Sequence, residues 1–141
     1  MSDTIPETRS VVIEREIAAP PEKLWRALTQ PHLIAEWLMQ NDFAPVAGHN
    51  FQLRMDAQPN WNGVIDCQVL TVEPNRKLTY TWGALGLDSV VTLTLTPPSA
   101  GTHLRMEQSG FRSDQAQAFA GATYGWKSFL GKLEHVLTHA D

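Results

Sequence analysis

A chain of 141 residues, 43% hydrophobic and 18% charged, has the size and make-up of one ordered globular domain, which excludes a disordered chain or several domains. Its 11 Lys and Arg stand against 15 Asp and Glu, a formal charge of -4, and the basic residues are scattered, so a nucleic acid is not an expected partner. No apolar run approaches the roughly 20 residues of a membrane span, the start MSDTIPETRS has no signal-peptide core, and Cys67 has no second cysteine to pair with, so the expected location is cytoplasmic.

The first predicted element is a strand over Val11 to Ala18, β-branched at its start and closed by Pro20-Pro21. A helix follows from Glu22, with Leu24, Trp25, Ala27 and Leu28 at helical spacing. Pro31 interrupts it and starts a second short helix through Leu33, Ile34, Trp37 and Leu38. Gly48 marks the turn into a strand that alternates Phe51, Leu53 and Met55 with Gln52, Arg54 and Asp56. Four more strands are predicted over Gly63 to Val72, Lys77 to Trp82, Ser89 to Thr96 and Thr102 to Ser109, with Pro97-Pro98 ending the third of these. Their alternation buries one face, and the short turns between them imply an antiparallel meander.

The last element is a helix of about 25 residues from Ser113, which would be its N-cap, with Asp114 at the positive end of the dipole. Its apolar stripe runs through Phe119, Ala122, Trp126, Phe129, Leu130, Leu133 and Leu137. Gly121, Gly125 and Gly131 interrupt a helix where each costs about 1 kcal/mol against Ala. Close packing of backbone on the sheet is the favoured explanation, and room for a ligand is the alternative. A sheet with one long helix buries that helix across its concave face, and the gap between the two is a natural place for an apolar ligand. The expected fold class is therefore α+β, in a single domain spanning residues 1–141 with an ordered core of about 11–138.

Several motifs together resemble a known family. Ala18-Ala19-Pro20-Pro21-Glu22 precedes Leu24-Trp25 and Ala27-Leu28-Thr29, and then come Pro31 and Trp37. Gly63-Val64, Val72-Glu73-Pro74, Lys77-Leu78-Thr79-Tyr80-Thr81-Trp82, Val91-Thr92-Leu93-Thr94-Leu95 and Gly125-Trp126 follow in order, with Leu130 and Leu133 behind them. In this order the chain resembles the START-like helix-grip (SRPBCC) superfamily, and within it the bacterial proteins similar to the Hsp90 ATPase activator homologue. The resemblance implies a helix-grip fold: a curved antiparallel sheet of six to seven strands wrapped on a long C-terminal helix, with two short helices after strand 1 and a cavity between sheet and helix. It implies no single activity, because the superfamily holds lipid and hormone carriers, polyketide cyclases and a co-chaperone. A chaperone partner is the weakest implication, since the eukaryotic co-chaperone has an additional N-terminal domain.

Few side chains point to reaction chemistry. Of five histidines only His135 and His139 stand at i, i+4, a spacing that suits a metal. They lie at the end of the last helix with no cysteine near, so a solvated helix end is the expectation, and no metal or cofactor is implied. Cys67 sits among apolar strand positions and reads as a small core residue, not a nucleophile. Tyr80, Trp82 and Gln108 share the inward register of their strands, and Thr123 and Tyr124 lie about one turn from Phe119. Trp61, beside Gly63, reads as a rim residue or a loop anchor.

Three functions follow, in descending order. The first is binding of a small apolar or aromatic molecule by Phe51, Met55, Tyr80, Trp82, Leu93, Met106, Gln108, Phe119, Thr123 and Tyr124. The second is an enzyme of polyketide cyclase or aromatase type, for which no inward-facing His, Asp or Glu offers a general acid or base. The third is a protein-interaction role, as a homodimer subunit or a co-chaperone-like domain.

Overall fold

The structure, a computed structural model, describes residues 8–57, 59, 61–84, 86–97 and 101–139, with residue 139 described in its backbone only. The opening segment MSDTIPE, Pro98 and the His139 side chain therefore lie outside the described residues. Seven strands and three helices follow in the order β1 (Thr8–Ile17), α1 (Pro21–Thr29), α2 (Pro31–Trp37), β2 (Gln40–Asn41), β3 (Asn50–Arg54), β4 (Val64–Glu73), β5 (Lys77–Ala84), β6 (Leu87–Thr96), β7 (Thr102–Arg112) and α3 (Ala116–His139).

All strands join one antiparallel sheet in the order β1-β7-β6-β5-β4-β3-β2. From β2 to β7 each strand pairs with its neighbour in sequence, as short turns require. β1 instead closes onto β7, and α1 and α2 carry the chain from one edge of the sheet to the other. This is the curved-sheet, long-helix architecture of a helix-grip fold.

Alternation decides which face is buried. Ile65, Cys67 and Val69 on β4, Leu78 and Tyr80 on β5, Val91, Leu93 and Leu95 on β6, and Leu104 and Met106 on β7 all lie inward and buried. Trp126, Leu130, Leu133 and Leu137 of α3 cover them. α1 and α2 buttress the other side of α3: Trp37 is 2% exposed, meets Trp126 at a tilt with ring centroids 6.4 Å apart, and its indole N–H donates to the Ala27 carbonyl at 2.8 Å. A buried indole N–H needs such a partner, and this one locks α2 to α1.

Several strands run a few residues beyond their expected limits, and two of the differences have related reasons. β7 runs to Arg112, past Ser109, because Gly110 adopts φ +109 and inserts one extra residue opposite β1, between the pairs Arg9↔Phe111 and Ser10↔Ser109. This bulge turns Phe111 inward to full burial. A side chain at 110 would meet the Asp88 carbonyl oxygen at 2.8 Å, so the close approach also requires glycine. With the strand prolonged, Ser113 falls in the following turn and does not cap α3. The helix starts three residues later, where the Phe119 N–H donates to the Gln115 carbonyl at 2.9 Å. β2 is a two-residue edge strand with no periodic signal in the sequence.

Candidate functional site

α3 rests on β1, β7, α1 and α2. On its other flank a stripe of small residues, Ala118, Gly121, Ala122 and Gly125, stands at i, i+3, i+4, i+7 spacing and faces the ends of β4, β5 and β6. Side chains this small do not reach the sheet. The gap is an apolar cavity of about 370 Å³. Ile65, Trp82, Ala84 and Leu87 form its sheet wall, Trp126 and Phe129 the rest of its helix wall, and Met39 and Trp61 close one side. Among the described residues Gln108 is the one lining side chain with a polar group other than an indole or a thioether.

The glycines of α3 are not there for close packing. A Cβ added at Gly121 or Gly131 meets nothing within 4 Å, and one at Gly125 meets only the Phe129 ring, at 3.7 Å. The helix backbone is therefore not pressed on the sheet at these points. Gly121, which is exposed at the mouth of the cavity, and the half-buried Gly125 both line it, so the missing side chains there leave it wider.

The aromatic walls are held in fixed orientations. Trp126 lies against Trp82 at 5.5 Å and meets Phe129 edge-on at 5.7 Å. The Trp61 N–H donates to the Val64 carbonyl at 3.1 Å, so this residue is both a loop anchor and a wall of the cavity. Gln108, 1% exposed, accepts from the Trp126 indole N–H at 2.8 Å and donates to the Ser89 hydroxyl at 2.9 Å. Ser89 in turn donates to the Trp82 carbonyl at 2.8 Å.

The structure redistributes the ten residues singled out in the sequence. Trp82 and Gln108 line the cavity. Phe51, Tyr80, Leu93 and Met106 do not: they are between 0% and 4% exposed and packed into the core. Phe51 and Tyr80 fill each other's surroundings as an edge-to-face pair at 5.4 Å. Burial, with the Cys67 thiol beside it, raises the Tyr80 hydroxyl above its ordinary pKa and keeps it neutral.

The remaining four lie elsewhere. Met55 falls just past the end of β3 and is 45% exposed. Thr123 and Tyr124 sit well round α3 from the small-residue stripe, at about 100° per residue. The Thr123 hydroxyl turns back onto the Phe119 carbonyl at 2.9 Å, and Tyr124 is 78% exposed. Phe119 packs edge-on against Phe111 at 5.5 Å, with the Arg9 guanidinium 4.4 Å over its ring, on the β1–β7 flank of the helix.

Other groups with potential chemistry are quiet. Burial, reinforced by Asp66 and Asp42, pushes the Cys67 thiol up to about 12, which removes the thiolate a nucleophile needs. Among the described residues no group of three or more His, Cys, Asp or Glu is arranged to hold a metal. A hollow of about 650 Å³ lies on the outer face of the sheet, over Gly83, Gly110, Asp66 and Asp88. It is larger than the inner cavity, yet it is an open depression among outward-facing positions, and water fills such a surface at no cost. No described helix is long and apolar enough to cross a membrane.

Comparisons with known proteins agree with this architecture. The family model described as "Activator of Hsp90 ATPase homolog 1-like protein" matches residues 18–138. No curated protein matches the chain. Among solved structures, protein MLL2253 from Mesorhizobium loti is 59% identical over 94% of this chain and 99% of its own, with a TM-score of 0.89. DynU16, a protein in the dynemicin biosynthetic locus, is 24% identical over 94% of this chain and 48% of its own, with a TM-score of 0.81. The Aha1 dimer from Colwellia psychrerythraea is 21% identical over 92% of this chain and 96% of its own, with a TM-score of 0.80. The last two likenesses show the fold.

Proposed function

The chain belongs to the Activator of Hsp90 ATPase homolog 1-like family, and from that premise we propose that it binds a small apolar or aromatic molecule between α3 and the sheet. The observation that carries this reading is the cavity itself. A folded core normally closes gaps of this size, because each lining atom forgoes its contacts. Here about 370 Å³, opening to solvent past the exposed Ala118 and Gly121, stays unfilled beside two glycines that packing does not require. An engineered apolar cavity of about 150 Å³ admits one benzene, so this one suits a body of two or three fused rings. Trp61, Trp82, Trp126 and Phe129 offer such a body broad, oriented faces.

The lining supports binding over catalysis. Among the described residues it contains no His, Asp, Glu, Lys, Ser or Cys, so none of these offers a titratable side chain to move a proton at a reacting atom. Native mass spectrometry of the purified protein, followed by a thermal-shift screen of two- and three-ring aromatics, tests the reading. A retained adduct, or a melting-point rise that grows with ligand concentration and is lost in Gly121→Phe, is the expected result. An equal rise in wild type and Gly121→Phe would place the ligand elsewhere and refute it.

A further inference from the structure

Gln108 does more than lie beside the cavity, because its amide orientation is dictated from both ends. The Trp126 indole N–H can only donate, so the atom it meets at 2.8 Å is the amide oxygen Oε1. The Ser89 hydroxyl has one proton and spends it on the Trp82 carbonyl at 2.8 Å. Toward Gln108 it can therefore only accept, and the atom it meets at 2.9 Å is Nε2. The two neighbours impose the same orientation, and flipping the amide would break both bonds.

A carboxamide has two N–H donors and two acceptor lone pairs. The protein uses one of each, which leaves one N–H and one lone pair on a side chain that is 1% exposed and lines the cavity. A buried N–H without a partner is costly, and native proteins seldom leave one unmet. Of the two, the N–H is the group that calls for a partner, because an amide oxygen that already accepts one bond is satisfied while an unmet buried N–H is rare. Among the described residues no Lys, Arg or His lines the cavity, so an anionic group would shed its water with no such charge to meet it.

We propose that the ligand is a neutral two- or three-ring molecule carrying a carbonyl oxygen, which accepts the spare N–H of Gln108. Gln108 is the specificity-determining residue, and Trp126 and Ser89 are positioning residues that aim it. This rests on the binding reading above and adds the polar group by which the ligand is recognised.

The test uses a matched pair of two-ring probes, 1-tetralone and tetralin, which differ in one carbonyl. Titration calorimetry is run on the wild type and on Gln108→Met/Trp126→Phe. The second change removes the indole N–H that would otherwise be free to replace the amide. The wild type is expected to prefer the ketone by about three- to tenfold, the range of one net hydrogen bond, and the double variant to bind both alike. Tetralin binding as well as tetralone in the wild type overturns this inference and leaves the cavity reading intact, as does a preference that survives in the double variant. Binding of neither probe to the wild type overturns both. A readout independent of any variant is the carbonyl stretch of bound 1-tetralone in the wild type. It should lie below its value in cyclohexane, and a value equal to that in cyclohexane refutes the hydrogen bond.

Discussion

Replacing Gly121 with Ala should stabilise this protein, although a glycine kept inside a long helix that packs on the core invites the opposite expectation. The helical residue at 121 has nothing within 4 Å of an added Cβ, so the methyl group meets no steric cost. The gain is the difference in helix propensity and unfolded-state entropy between Gly and Ala, about 0.5–1 kcal/mol. For a domain of this size that corresponds to a melting-point rise of roughly 2–5 °C. Gly131→Ala has the same open surroundings and should give the same gain. The two sites are ten residues apart, about 15 Å along the helix, so their effects should add. Urea denaturation followed by helical circular dichroism measures each value. The two substitutions part company in ligand binding: Gly121 lines the cavity and Gly131 does not. A large side chain at 121 should abolish binding, and Gly131→Ala should leave it unchanged. Destabilisation of about 1 kcal/mol or more by Gly121→Ala would refute the reasoning, because it would mean that the helix backbone is seated on its neighbours and the gap is absent.

Three further outcomes follow from the same structure. Gln108→Leu should cost about 1–3 kcal/mol in urea denaturation, because it leaves the buried Trp126 indole N–H without an acceptor. Adding Trp126→Phe should recover part of that loss, and a fully additive double variant would argue against the bond. Cys67, with its thiol pushed up to about 12, should resist iodoacetamide in the native protein at pH 8 and react once urea unfolds it. Rapid native labelling would show the thiol to be more accessible than its burial indicates. His103 lies on the outer face between Glu16, on its Nδ1 side, and Glu14, 2.6 Å from its Nε2, and the hydrogen bonds its ring donates to these carboxylates raise its pKa. Its contribution to stability is therefore fully present below the unfolded histidine pKa of about 6.5 and is lost as pH rises through the higher folded value. Proton NMR titration should find the midpoint above the usual histidine value, and His103→Ala should flatten that part of the pH–stability profile.

The elements and the buried face of the sheet were legible because their signals are local. Alternation along Leu78-Thr79-Tyr80-Thr81-Trp82 and Val91-Thr92-Leu93-Thr94-Leu95 needs only period two, and Pro20-Pro21 and Pro31 punctuate the chain whatever surrounds them. The end of β7 was less legible. A single left-handed glycine at 110 adds a residue to one strand, and nothing in the sequence distinguishes it from a glycine that ends a strand.

The site was legible only in part. Inward register placed Trp82 and Gln108 correctly on the concave face, but it placed Phe51, Tyr80, Leu93 and Met106 there equally. Periodicity reports that a side chain faces inward and not whether its neighbours leave space above it. The signal that was present and undervalued is the run Ala118, Gly121, Ala122, Gly125, whose helical spacing gathers small residues on one flank. Residue types and their order thus determined an antiparallel sheet, a long amphipathic helix and the side each strand buries. Tertiary structure alone decided that α3 leans on β1, β7 and the two short helices, opening the gap at Gly121 and Gly125 while closing it over Met106 and Leu93. That choice depends on how far apart two packed layers settle, a balance of side-chain volumes from several elements at once that no local pattern encodes.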